Sequence, residues 1–183
     1  MRGIIFVNLV EHLETELGFE AADAILEAAD LGSGGAYTSV GSYPVDEAFR
    51  IVAATSERTG IPASTLLRGF GKVLFGVLAG AHPEFLKGVE GPVQLLQLVE
   101  GHIHKEVRKL YPEAKPARFE AVEGRNGLFF IYRSDNPLGD LCEGLIRGCF
   151  AWFDQEVHLS RTDMSSGNGT EILFQVVTEP VHA

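Results

Sequence analysis

The sequence predicts an α+β fold, with a helical N-terminal subdomain followed by a C-terminal subdomain on an antiparallel sheet of about four strands. Three observations carry that prediction. Apolar residues recur at helical spacing to about residue 115; an Asn126-Gly127 turn signal lies between two alternating segments; and a turn-rich link, Ser165 to Gly169, separates two more extended segments near the end. A chain of 183 residues with 45% hydrophobic content can bury a sizeable core without disulfides or structural metal. One domain over 1–183 is therefore expected, with its helical part at about 1–115 and its α+β part at about 116–178.

Ile5, Leu9, Leu13 and Leu17 fall at four-residue steps before Gly18, which predicts a helix with a glycine stop. A second short helix covers Glu20 to Ala29. The stretch from Leu31 to Pro44 is dense in glycine and serine and reads as a surface loop, since the helices beside it are too short to fold alone. Helices over Asp46 to Thr59 and Ser64 to Ala81 follow, separated by Gly60-Ile61-Pro62, with Ser64 a candidate N-cap and Phe70, Leu74, Phe75 and Leu78 an apolar face on the second. After Gly91-Pro92, apolar residues at 96, 99, 103, 107 and 110 predict one sustained helix with His104 on its flank.

Beyond Pro116, Arg118 to Val122 and Leu128 to Tyr132 bracket Arg125-Asn126-Gly127, the signature of a tight hairpin. A helix from about Pro137 to Phe153 places Leu141, Leu145 and Cys149 on one stripe, and strands near Glu156 to Arg161 and Glu171 to Val177 complete the sheet.

Fifteen basic against twenty-five acidic residues leave a formal charge of -10, which repels phosphate backbones and anionic membranes. Neither nucleic acid nor a membrane is an expected partner. No apolar run approaches the roughly 20 residues of a membrane span, and the N-terminus lacks the smooth apolar stretch of a signal peptide, so a cytoplasmic protein is expected. Cys142 and Cys149 lie on one predicted helix, where about 1.5 Å of rise per residue sets their backbones about 10 Å apart. That is too far for a disulfide, and they read as reduced core thiols. With no nucleophile elbow, Walker loop, dinucleotide fingerprint or HExxH, no enzyme is expected.

His102 and His104 are the suggestive pair. Two residues apart on a helix they are separated by about 200°, so they cannot share one metal, and periodicity does not choose between them. A small metalloenzyme using either one with Glu106 is a rival chemistry.

Six segments in order resemble the haem nitric oxide/oxygen binding (H-NOX) family over nearly the full length: MRGIIF at the start, YTSVGSYP at Tyr37 to Pro44, Phe70-Gly71, IHKEVRKLYP at Ile103 to Pro112, YRS at Tyr132 to Ser134, and EGLIRG at Glu143 to Gly148. The resemblance implies a stand-alone gas sensor, with haem b between the helical and sheet subdomains and His104 as the protein ligand to iron. His102 is then a partly exposed helix residue. One neutral imidazole leaves the opposite axial position open to a diatomic gas, and its other ring nitrogen should donate to a backbone carbonyl or water.

The family's propionate clamp, Tyr-x-Ser-x-Arg, falls on Tyr132 and Ser134, with Asn136 where arginine is expected. Asparagine can donate a hydrogen bond but cannot neutralise a carboxylate. Arg133, between the two clamp residues on a strand, should point to the opposite face. This departure keeps open an alternative, a haem-poor or haem-free protein-interaction module of the same fold.

Oxygen-binding relatives place a tyrosine, tryptophan and asparagine on the distal side, and the corresponding residues here are Leu141, Leu9 and Leu74. Without a donor bound oxygen is disfavoured, which implies nitric oxide as signal, CO as a tolerated ligand and oxygen held poorly or not at all. Ile5, Leu74, Leu78, Leu141 and Leu145 are the expected pocket residues. The family proline that presses on haem aligns with Ala117, leaving Pro116 one residue early, and the zinc site of some relatives has no cysteine here between His158 and Glu171. By resemblance, nitric oxide strains or breaks the His104 bond to iron and the subdomains shift. The chain ends about where the resemblance ends, so the expected partner is a separate histidine kinase or cyclic-di-GMP enzyme.

Overall fold

A computed structural model describes residues 1–124 and 127–177. Its order is the expected one, helices first and then a four-stranded antiparallel sheet interrupted by one helix. The chain divides into two compact units, Met1–Phe70 and Gly71–Ala183. No single helix among the described residues is long and apolar enough to cross a membrane.

The first unit holds α1 (Gly3–Leu17), α2 (Phe19–Ala28), α3 (Val45–Thr59) and the start of α4 (Ala63–Ala81). Helix α1 buries Gly3, Phe6, Leu9 and Leu13, which corrects the expected stripe at both ends. Ile5 is half-buried and Leu17 is 36% exposed. Each four-residue step overshoots a full turn by about 40°, so a strict four-step series walks off the face that mixed three- and four-residue steps keep. Gly18, at φ 83°, ends α1, and α2 begins at the next residue. Ser64 is not an N-cap: α4 starts at Ala63, the Pro62 carbonyl accepts from the Thr65 and Leu66 N–H groups, and Ser64 Oγ accepts from Arg68 instead.

The glycine-rich loop is on the surface, as expected, but it is tied down. The Met1 ammonium donates to the Tyr43 carbonyl (2.6 Å), Gly3 N–H donates to Gly41 (2.8 Å), and Phe6 packs against the rings of Tyr37 and Tyr43 at 4.5 and 5.5 Å. Buried Glu47, from α3, accepts from Ser33 N–H (3.0 Å), Ser33 Oγ–H (2.6 Å) and Tyr37 O–H (2.7 Å). Burial pushes this carboxyl up, but the bonds from Ser33 and Tyr37 outweigh it and hold the group below the usual 4.5. A folded-state value below the unfolded one means stability that is fully present above the unfolded value and lost as pH falls through the folded one. Glu47→Ala, which strands three donors, is expected to cost about 2–3 kcal/mol. Urea denaturation at pH 7 and at pH 3 checks this: the gap between variant and parent should narrow at the lower pH.

In the second unit, β1 (Arg118–Gly124), β2 (Gly127–Arg133), β3 (His158–Asp163) and β4 (Glu171–Val177) form the order β1-β2-β4-β3. Alternation fills one face: Leu128, Phe130 and Tyr132 of β2 and Ile172, Phe174 and Val176 of β4 are all buried. They form a core with Leu95 and Leu96 of α5 (Pro92–Leu98) and with Cys142, Ile146, Cys149 and Phe150 of α7 (Gly139–Trp152). At the hairpin, Gly124 pairs with Gly127, while Arg125 and Asn126 lie outside the described residues. Strand β3 begins at His158, two residues after the expected Glu156. The second link is organised by the Asp163 carboxylate, which accepts from Ser165 N–H (2.7 Å) and Gly169 N–H (3.1 Å).

Both cysteines are free and buried, and burial pushes their thiols up, Cys149 to about 12. They are therefore protonated core groups rather than nucleophiles. Helices α4 and α7 approach through glycines. A Cβ built on Gly71 would lie 2.4 Å from the Leu141 carbonyl oxygen, and one on Gly148 would lie 2.6 Å from that of Lys72.

Candidate functional site

The helix expected to run unbroken from Val93 to Tyr111 is three pieces. α5 ends at Leu98, a π-helical turn covers Val99–Ile103, and α6 (His104–Leu110) begins at the histidine itself. The wide turn inserts a residue into the helical phase, so the straight apolar stripe does not hold: Leu96 is buried, Val99, Ile103 and Val107 are half-buried, and Leu110 is 68% exposed. The cause is visible in the side chains. The carboxylate of Glu100 accepts from Phe119 N–H (3.2 Å) and from Arg108 (2.8 Å), pinning the wide turn to the start of β1.

His104 sits at the end of this turn with its side chain 18% exposed. Nδ1 donates to the Ala117 carbonyl at 2.9 Å, which fixes the tautomer and leaves the lone pair on Nε2. Its ring also packs against Phe119, centroids 5.3 Å apart, and Phe119 stacks on Phe130 at 4.7 Å. Burial lowers the His104 pKa against the opposing pull of Glu100 and the Ala117 bond, so the ring is neutral at pH 7. His102 is exposed, edge-on to Phe85. The two histidines therefore differ in setting: His104 is half-buried with its ring held, and His102 is exposed. Glu106 is paired with Lys109 (2.6 Å), and no group of three or more His, Cys, Asp or Glu among the described residues is placed to hold a metal ion.

Tyr132, Ser134 and Asn136 are brought together, although by the backbone of Asn136. The Tyr132 hydroxyl donates to the Asn136 carbonyl (2.9 Å) and accepts from Leu138 N–H, while Ser134 Oγ accepts from Asn136 N–H (3.2 Å). Burial pushes the phenol up to about 12, so it is a donor and never an anion at physiological pH. Arg133 does point to the other face, where it pairs with Glu171 (2.7 Å) and Glu120 (3.2 Å).

Of the apolar residues, Leu74 and Leu78 lie on α4, and Leu141 and Leu145 on α7, the two helices in backbone contact at Gly71 and Gly148. Leu74 and Leu141 are buried; Leu78 and Leu145 are half-buried. Ile5 and Leu9 belong to α1 in the first unit. Pro116 is half-buried, next to the carbonyl that holds His104.

The residues fit haem on the axial side: a neutral, oriented imidazole with a free Nε2 is what an iron ligand requires. For the propionates, a phenol and a hydroxyl are in place, but no cation stands at the third position. Sequence reasoning missed Glu100, Arg108 and Phe119, although the four-residue steps from Glu100 to His104 to Arg108 were a readable signal.

The model of the haem-NO-binding family matches residues 2–161. The whole chain is similar to the Fe(II) unliganded H-NOX protein from K. algicida, at 30% identity, covering 99% of that chain with a TM-score of 0.93. It is also similar to the H-NOX from Shewanella woodyi in the Fe(II)CO ligation state, at 37% identity over 100% of this chain and 97% of that one, TM-score 0.83. An H-NOX protein from S. oneidensis in the Fe(II)NO ligation state matches at 27% identity over 98% of this chain and 100% of that one, TM-score 0.89. No curated protein matches by sequence. The family match over residues 2–161 and the shared fold together show that this chain belongs to the H-NOX family, whose members are gas sensors rather than enzymes.

Proposed function

We propose that the chain binds haem b through His104, senses nitric oxide, accepts CO, and takes oxygen poorly or not at all. The observation that carries this reading is the His104 to Ala117 hydrogen bond, which orients a neutral imidazole with Nε2 free. Relatives described in the Fe(II)NO and Fe(II)CO states support the choice of gases. Haem, when bound, supplies an iron that takes one protein ligand and keeps one position for a diatomic gas. The chain's own part is to present Nε2, to hold the propionates with Ser134 and with a Tyr132 hydroxyl that turns from the Asn136 carbonyl to do so, and to keep hydrogen-bond donors away from the gas. Leu9, Leu74 and Leu141, all buried, carry none. Ile5, Leu78, Leu145 and Pro116 add apolar surface. The signal passes to a separate protein, and a histidine kinase or a cyclic-di-GMP enzyme is the class of output we assign.

Asn136 favours a second reading, a protein-interaction module that holds haem weakly or not at all. The Tyr132 proton is committed to the Asn136 carbonyl, and no guanidinium replaces the missing clamp arginine among the three clamp residues. An absorption spectrum of the reduced protein, with and without nitric oxide, separates the two. The sensor reading expects a Soret band that moves with the gas; no band after haem is supplied would leave only the module. Leu141→Tyr adds a donor and is expected to stabilise an oxygen complex in air, where the parent protein forms none that persists.

A further inference from the structure

We propose that Glu100 is a positioning residue for His104: from the π-helical turn its carboxylate draws on the imidazole Nδ1–H and makes Nε2 a stronger donor, while Arg108 holds that carboxylate and damps its charge. The proposal rests on the reading that His104 is the iron ligand.

Three contacts on one carboxylate carry it. Glu100 Oε2 lies 3.5 Å from His104 Nδ1, whose hydrogen the Ala117 carbonyl accepts at 2.9 Å. The same Oε2 accepts from Phe119 N–H at 3.2 Å, which fixes it relative to the strand that also supplies Phe119 to the imidazole. Oε1 is held by Arg108 at 2.8 Å, and Arg108 also reaches the Glu100 carbonyl at 3.5 Å. A carboxylate near the remote ring nitrogen raises the basicity of the ligating one, and a guanidinium on that carboxylate reduces the effect. The site is half-buried, where such charges are screened less than at a free surface. The two residues therefore set the strength of the bond that a gas signal would have to loosen, with opposite signs.

A purely structural tie makes a different prediction, because losing either partner would loosen the turn and disturb His104 in the same direction. Glu100→Gln keeps an acceptor for Phe119 N–H but removes the charge. Arg108→Met keeps the apolar stem and unmasks the carboxylate. In the haem-free full chain, proton NMR of His104 Nδ1–H should shift upfield in Glu100→Gln and downfield in Arg108→Met. In the ferrous haem-loaded protein, resonance Raman should place the iron–histidine stretching band lower in Glu100→Gln and higher in Arg108→Met. Glu106→Gln, which removes the same charge from an exposed pair with Lys109, should move neither. Unmoved signals in both variants, or shifts of the same sign, overturn the proposal. If the parent protein shows no iron–histidine band, the ligand assignment fails instead, and the Nδ1 proton still decides whether Glu100 acts on His104.

Discussion

His104→Gly is expected to lose haem on desalting, with haem affinity reduced by more than about 100-fold, and to recover a Soret band when free imidazole is supplied. The lower bound follows from the cost of changing a residue that only supports a metal ligand, about 10–100-fold, which removal of the ligand itself must exceed. The fold should survive. His104 starts α6 at the edge of the core, and a glycine in a helix costs about 1 kcal/mol. The loss would therefore report ligation and not unfolding, which circular dichroism of the haem-free variant can verify. His102→Ala should leave the spectrum as it was, because His102 is exposed, edge-on to Phe85. The reverse pattern, haem kept without His104 and lost without His102, would sink the assignment.

Why the sequence could nominate this histidine but not derive it is a matter of backbone phase. Six motifs in register pointed to His104 by resemblance, while helical periodicity assumed an α-helix through Val99–Ile103, where the chain makes a π turn. Within the turn, Glu100 meets Phe119 N–H, nineteen positions along the chain, and no local pattern contains that pairing. The acceptor for Nδ1 is likewise a backbone carbonyl. Any residue could supply it, so nothing in the side chain of Ala117 announces that role.

The strands were legible because period-two alternation and turn residues are local signals. Leu128, Phe130 and Tyr132 do share one face, and Arg133 does share the other with Glu171. Tyr132 and Ser134 were legible as neighbours of residue 136 but not in their bonding, since Asn136 takes part through its main chain. Glu47 was lost for another reason. A glutamate in the first turn of α3 reads as solvated surface, and only the return of the Ser33 to Tyr37 loop makes it a buried acceptor.

The glycines of α4 and α7 carry the other large prediction, because helix propensity alone would advise replacing them. Gly148→Val should lower stability by about 3 kcal/mol or more. Its Cβ would meet Lys72 O at 2.6 Å, Phe75 Cβ at 2.7 Å and Lys72 Cα at 3.1 Å, and two of these three are backbone atoms of a neighbouring helix that no rotamer change can move aside. The helices must separate, and α7 carries Leu141 and Leu145 with it. For a chain of this length, about 2–4 °C of melting temperature per kcal/mol gives a fall of about 6–12 °C by thermal denaturation. Gly80→Ala is the control: it lies in α4, nothing stands within 4 Å of its Cβ position, and the substitution should stabilise by about 0.5–1 kcal/mol. If Gly148→Val melts with the parent, the close approach of α4 and α7 is not what holds those leucines in place. If it falls as expected while the Gly80 variant rises, the two glycines differ only in what faces them, and the identity of residue 148 is set by the neighbouring helix.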